Sequence, residues 1–192
     1  MTNEETLHLF QEAQALLTGH FLLSSGRHSD QYLEKFRLVE NPRLLEPICE
    51  SLAERFRNDH IDVVMGPTTA GIILAYIYAR ILGVQGRYAE SEGGVRKLRR
   101  GQTLLPGTRI LIVDDILTTG GAVRECIDLS KQYQAEVAGI AVLADRTSGT
   151  TDFGYRLESA LSIQVESWKP EECPLCKRNI PITQPGSKNL NG

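Results

Sequence analysis

Two adjacent carboxylates, Asp114 and Asp115, close the apolar run Ile110-Leu111-Ile112-Val113. Ile116, Leu117, Thr118, Thr119, Gly120, Gly121 and Ala122 follow them. Such a run reads as a buried strand that delivers both carboxylates to the sheet edge where open α/β folds bind ligands. The glycines let backbone approach a ligand closely, and amides at the start of the following helix favour an anion. Carboxylates accept hydrogen bonds from neutral hydroxyls, so the segment suits a phosphate group carried on a polyol. An Asp pair alone is equally an ordinary strand-to-helix turn with a capping residue, whereas the whole segment is far more specific. It is not a Walker loop, because no Gly-Lys-Ser/Thr is present.

A second turn, Gly66-Pro67-Thr68-Thr69-Ala70-Gly71, also joins an apolar strand to a helix and offers amides and hydroxyls to an anion. By itself it reads as readily as a plain βα connection. A third stretch, Arg96-Lys97-Leu98-Arg99-Arg100, holds four cations and is flanked by Gly93, Gly94 and Gly101. The usual reading of a charge run is a solvated face. Lying between two core strands, it is also suited to be a mobile lid over a polyanion, stabilising charge that grows on a leaving group.

These segments need a scaffold. Leu7, Phe10, Ala13 and Leu17 predict an amphipathic first helix, capped by Asn3 and ended by Gly19. Residues 19–30 suit a hairpin or extended flap. Pro42 starts a helix buried through Leu45, Ile48, Leu52 and Phe56. Strands are expected at 61–65, 84–88, 109–113, 137–143 and 161–165, with helices at 72–82 and 121–133. The segment 89–106 is expected as a loop, and 177–192 as a poorly ordered tail. Apolar strands alternating with helices argue for an α/β fold with a mostly parallel five-stranded sheet flanked by helices. Residues 1–170 are expected as a single domain, its small N-terminal hood lying mainly in 1–40 with C-terminal elements added, and 171–192 as a tail.

The segment 109–123 resembles the ribose-5-phosphate signature of the type I phosphoribosyltransferases. That resemblance implies that Asp114 and Asp115 hold the ribose hydroxyls of phosphoribosyl pyrophosphate and that Thr118, Thr119, Gly120, Gly121 and Ala122 wrap its 5′-phosphate, with Ile116 and Leu117 between them. Thr68, Thr69, Ala70 and Gly71 match the pyrophosphate loop. Phe21-Leu22-Leu23-Ser24-Ser25-Gly26-Arg27-His28-Ser29 is similar to the flap of the orotate phosphoribosyltransferases, with Ser24 where many members have Lys. Arg146, in Ala144-Asp145-Arg146, matches the arginine that grips orotate; its bland reading is a surface arginine at a strand end. Thr118 would also touch the base. In that family a mobile basic loop crosses to the partner's active site, which implies catalytic roles among Arg96, Lys97, Arg99 and Arg100 and a homodimer with shared sites. This loop has no His, and one Lys among its Arg residues. The shorter, thermophile-type branch of the family fits best.

The implied reaction transfers ribose 5-phosphate to orotate, with Mg2+ as cofactor bridging pyrophosphate and ribose oxygens. The rivals are a purine phosphoribosyltransferase, for which neither the flap nor Arg146 argues, and a non-enzymatic sensor of phosphoribosyl pyrophosphate, which would need a nucleic-acid module.

The tail holds Cys173-Pro174-Leu175-Cys176, the spacing of half a tetrahedral zinc site. Cys49 and Cys126 fall in predicted helices, so no second pair is evident; a plain reduced turn is the preferred reading, and no residue is assigned to a metal. The chain has 192 residues, 41% of them apolar and 23% charged, with a net charge of −3. That length fits one ordinary domain, and the mild acidity offers no footprint for nucleic acid. The most apolar run, 70–79, is about half of what a bilayer helix needs. Glu4 and Glu5 stand where a secretory leader would be basic and then apolar, so a cytoplasmic protein is expected.

Overall fold

A computed structural model describes residues 1–23, 25–93, 95–147 and 149–185. Helix α1 (Asn3–Glu12) begins with a capping box: the Thr2 hydroxyl accepts from the Glu5 amide, and the Glu5 carboxylate accepts from the Thr2 amide. Asn3, the expected cap, instead accepts from the Ser162 amide at 2.8 Å and ties the helix to the domain. The helix stops well before Gly19, because Gln14 takes a left-handed φ of 52° and turns the chain into strand β1 (Leu16–Leu22). β1 pairs antiparallel with β2 (His28–Leu33), the expected hairpin, as a two-stranded sheet of its own. Ser24 of the flap lies outside the described residues.

One helical turn, α2 (Phe36–Val39), leads to α3 (Pro42–Glu54), which buries Leu45, Ile48 and Leu52 as its periodicity requires. Strands and helices then alternate: β3 (Val63–Pro67), α4 (Ala70–Leu82), β4 (Gln85–Glu92), β5 (Val95–Lys97), β6 (Arg109–Leu117), α5 (Gly121–Gln132), β7 (Glu136–Asp145) and β8 (Leu157–Ser162). The second sheet has the order β5-β4-β3-β6-β7-β8. Its strands from β4 to β8 are parallel, and β5 is added antiparallel at the β4 edge. Part of the segment expected as a loop is therefore a hairpin. One pair of opposite charges, Glu90 and Lys97, faces across it, with Ser91 opposite Arg96. The last strand falls earlier than 161–165, because its pairing follows β7 from Ile140↔Leu157 to Asp145↔Ser162 and β7 ends there.

β6 is apolar from Ile110 to Val113 because both faces are covered there. Leu111 and Val113 point to the side of α3 and α4, among Leu45, Ile48, Leu74 and Tyr78. Ile110 and Ile112 point to the side of α5, among Val123, Ile127, Met65 and Phe153. After β8 the chain returns to the hairpin. Trp168 and His28 exchange both backbone bonds at 2.8 Å, Thr183 bonds the His20 carbonyl and the Leu22 amide, and the Ser29 hydroxyl donates to the Glu166 carbonyl. The segment 177–185, expected to be poorly ordered, is thus bonded to β1; residues 186–192 lie outside the described part. Among the described residues no helix is long and apolar enough to cross a membrane.

Gly139 on β7 faces the Phe56 ring so closely that a Cβ there would sit 2.5 Å from a ring carbon. Gly139→Ala is expected to destabilise the domain by about 1–3 kcal/mol through overpacking, read as a lower urea midpoint with unchanged slope.

Candidate active site

β3, β6 and β7 are neighbours in the sheet and run parallel, so the loops leaving their C-terminal ends meet along one edge. The 66–71 turn leaves β3. A Cβ on Gly66 would lie 2.2 Å from the Gly71 carbonyl oxygen, so the two glycines let the turn fold against itself. The Thr68 amide donates to the Ala89 carbonyl, which anchors the turn to β4. Thr69 caps α4 without a side-chain bond to it, so no side chain claims the Ala70 and Gly71 amides, while the Ile72 amide donates to the Thr69 carbonyl. Ala70 and Gly71 are buried.

The second loop leaves β6. Thr118 and Thr119 are exposed, while Leu117 is buried and its carbonyl accepts from the Arg146 amide at 3.0 Å. Gly120 has φ 75°, and a Cβ there would meet the Phe153 ring at 2.7 Å; glycine is needed on both counts. No side chain caps α5, so Gly121 and Ala122 open a helix whose first amides are also unclaimed by side chains.

Between the loops stand the two carboxylates. Asp115 is buried; one of its oxygens pairs with Lys35 Nζ at 2.7 Å and the other accepts from the Ile116 amide at 2.6 Å. Asp114 accepts from the Asp115 amide at 2.9 Å. Burial, then the neighbouring Asp115 charge, raise the Asp114 pKa to about 7. Near neutral pH Asp114 is therefore easily protonated.

Arg146 follows β7. It is half-buried, and its buried Nε has no hydrogen-bond partner among the described residues. Burial pushes its pKa down, while the nearby Tyr32 opposes that shift. The basic stretch divides in two. Arg96 is 11% exposed and held from three sides: Glu125 of α5 at 2.8 Å, the Thr68 hydroxyl at 3.0 Å and the Ala89 carbonyl at 3.1 Å. It is a fixed strut behind the 66–71 turn. Lys97 and Arg99 pair with Glu92, and Arg100 pairs with Glu90, all at the surface of the β4–β5 hairpin. Gly94 lies outside the described residues.

The structure therefore brings together the 66–71 turn, the 114–122 segment, Arg146 and Arg96. It adds Lys35, Tyr32 and Glu125, which sequence reasoning missed. No local pattern marks Lys35: it sits between a strand and a one-turn helix, and only its reach to Asp115 gives it meaning.

Residues 37–171 match the family model of the phosphoribosyl transferase domain. The chain is 45% identical over 188 residues to the orotate phosphoribosyltransferase of Caldicellulosiruptor bescii, covering 98% of this chain and 99% of that relative. It is 42% identical over 182 residues to the orotate phosphoribosyltransferase of Thermotoga maritima, covering 95% and 97% respectively. Among solved structures, orotate phosphoribosyltransferase from Aeropyrum pernix matches with a TM-score of 0.71 at 27% identity, over 81% of this chain and 92% of that one. Adenine phosphoribosyltransferase from Rhodothermus marinus matches with a TM-score of 0.66 at 25% identity, over 84% and 100%.

Asp114 holds its proton more tightly folded than unfolded. Between its ordinary 3.8 and about 7 the folded state binds more protons, so its contribution to stability falls as pH rises through that window. Asp114→Asn is expected to stabilise the free protein by on the order of 1 kcal/mol or more above pH 8 and by little near pH 4. Urea unfolding at the two pH values checks this.

Proposed function

The chain belongs to the phosphoribosyl transferase domain family and, within it, to the orotate phosphoribosyltransferases, and from that premise we propose how its residues divide the work. The reaction moves ribose 5-phosphate from phosphoribosyl pyrophosphate to orotate, giving orotidine 5′-monophosphate and pyrophosphate in de novo UMP synthesis. Asp114 and Asp115 accept hydrogen bonds from the ribose 2′- and 3′-hydroxyls. Lys35 holds Asp115 in position for this, which is the reason we give the pair a binding role. Thr118, Thr119, Gly120, Gly121 and Ala122 wrap the 5′-phosphate at the start of α5, with Ile116 and Leu117 carrying the chain between carboxylates and loop. Thr68, Thr69, Ala70 and Gly71 take the pyrophosphate at the start of α4. Two uncapped helix starts on neighbouring parallel strands suit the two phosphate ends of one substrate.

The observation that supports orotate as the base is the buried, unpartnered Nε of Arg146, one strand away from the carboxylates. A guanidinium in that state costs free energy until a carboxylate meets it, and orotate carries one where neutral purines do not. Thr118, exposed on the adjacent loop, adds a polar contact to the base.

Substitution at the anomeric carbon builds positive charge on the ribose ring and negative charge on the departing pyrophosphate, so positioning and charge stabilisation are the protein's task. Arg96 supplies a fixed cation behind the pyrophosphate turn. Lys97, Arg99 and Arg100 supply the movable ones. Their pairs with Glu90 and Glu92 lie at the surface, where solvent weakens them, so a polyanion readily draws them away.

Mg2+ enters with the substrate on this reading. Both Asp115 oxygens are engaged and one Asp114 oxygen accepts from the Asp115 amide, so the other Asp114 oxygen is the one that would meet the ion, directly or through water. That fits a hard cation held mainly by substrate oxygens, and it would neutralise pyrophosphate charge there. A homodimer sharing the basic hairpin is supported by Ile73 and Tyr76 on α4, exposed in the single chain beside a recess of about 380 Å³. Four free cysteines suit a reducing cytoplasm.

The deciding assay supplies Mg2+ and phosphoribosyl pyrophosphate with orotate, hypoxanthine, guanine or uracil in separate reactions. Turnover with orotate alone is expected; turnover with a purine would overturn the role given to Arg146. Arg146→Ala is expected to raise the KM for orotate about tenfold or more and to leave that for phosphoribosyl pyrophosphate within about threefold. Equal losses for both substrates would refute it as a base contact. Lys35→Met is expected to show the reverse, a several-fold rise in KM for phosphoribosyl pyrophosphate and little change for orotate.

A further inference from the structure

The Cys-x-x-Cys turn is not solitary in the fold. His20 of β1, His28 of β2, Cys173 and Cys176 bring one nitrogen or sulfur each into a cluster whose atoms all lie within 4.8 Å of one another. His20, His28 and Cys173 are buried, and Cys176 is half-buried. We propose that these four side chains bind one zinc ion as a closed structural site that fastens the C-terminal segment to the N-terminal hairpin.

The spacing of the atoms is that of a coordination tetrahedron. With metal–nitrogen and metal–sulfur lengths of about 2.0–2.3 Å, the edges of such a tetrahedron run from about 3.3 Å between nitrogens to about 3.8 Å between sulfurs. His20 Nε2 lies 3.0 Å from His28 Nδ1, 3.5 Å from Cys173 Sγ and 3.7 Å from Cys176 Sγ. Cys176 Sγ lies 3.2 Å from His28 Nδ1.

The orientation agrees. His20 Nδ1 is 2.7 Å from the Ile180 carbonyl, which can only accept, so in the neutral ring Nδ1 carries the proton and Nε2 turns a bare lone pair to the cluster. An outer carbonyl fixing the tautomer of a ligating histidine is the usual support of a metal site. Hydrogen bonding alone serves this geometry poorly. Nε2 has three close polar neighbours and one lone pair, whereas a single cation satisfies all four groups together.

The donor set selects the metal class. Two thiolates and two imidazoles in a tetrahedron suit zinc, and calcium or magnesium would require oxygens. All four positions come from the protein, leaving none for substrate, so the site is structural. Binding releases the two thiol protons to solvent. Mechanically, the ion would lock Cys173 and Cys176 onto strands already bonded to Trp168 and Thr183. β2 continues to Tyr32 and on to Lys35, the residue paired with Asp115, so the metal would stiffen the element that carries that lysine.

The test uses the full chain without a histidine tag, purified under reducing conditions. Elemental analysis is expected to find about one zinc per chain. After chelation, cobalt titration is expected to saturate near one equivalent with thiolate charge-transfer and tetrahedral d–d absorption, both lost in Cys176→Ser and in His28→Gln. Removing zinc is expected to lower Tm by about 5 °C or more. A folded wild-type chain without zinc that gives no saturable cobalt–thiolate band overturns the proposal, as does a Cys173–Cys176 disulfide found by mass spectrometry in freshly purified protein. If the variants fail to fold, the wild-type zinc content and cobalt titration decide alone. None of these readouts depends on transferase activity, so they stand whatever base the enzyme accepts.

Discussion

Adjacent carboxylates at the end of a buried strand repel each other, and the surroundings of this site answer that repulsion. A strand sends consecutive side chains to opposite faces, which separates the two groups as far as neighbours allow. Asp115 is then matched by Lys35, and its second oxygen by a backbone amide. Among the described residues no cation forms an ion pair with Asp114, and burial leaves it holding its proton up to about neutral pH. The free site is thus strained in charge on one side and settled on the other. A ligand that donates hydroxyl hydrogens relieves Asp114, so part of the cost of folding this edge returns on binding.

The Lys35–Asp115 pair also couples two layers. Asp115 belongs to the central strand of the main sheet, and Lys35 follows the hairpin that stands outside it. The hairpin in turn exchanges backbone bonds with the segment around Trp168 and Thr183. Movement of that segment therefore bears on Asp115, the carboxylate we propose for the ribose. Around this edge the parts differ in stiffness. The turn at Gly66–Gly71 is set by backbone contacts, and the loop at Gly120 by the Phe153 ring, each too tight for a Cβ, whereas the cations beyond Arg96 are held by surface pairs. Rigid anion cradles beside a loosely held basic hairpin suit a reaction that must admit and release two charged substrates.

How much of this could be read in advance follows from how far apart the partners lie along the chain. The apolar run before Asp114, the glycines at 66, 71, 120 and 121, and the Thr pairs are contiguous, so their strand–turn–helix character and their affinity for phosphate are written locally. The boundaries of the first helix and the last strand were misjudged because each was decided by something remote: the turn at Gln14 leading into a hairpin, and the register with β7.

The amino-acid sequence by itself determined the α/β alternation, the two glycine-rich strand-to-helix turns and the carboxylate pair, because period, turn chemistry and residue type act over a few neighbours. The tertiary structure alone decided that Lys35 meets Asp115, that Arg96 is a strut while Lys97, Arg99 and Arg100 stay at the surface, and that Arg146 Nε is buried without a partner among the described residues. It also decided that Cys176 meets His28 across 148 residues of chain. The reason is physical: such contacts depend on which strands become neighbours in a sheet, and a packed core of apolar residues from the whole chain sets that order.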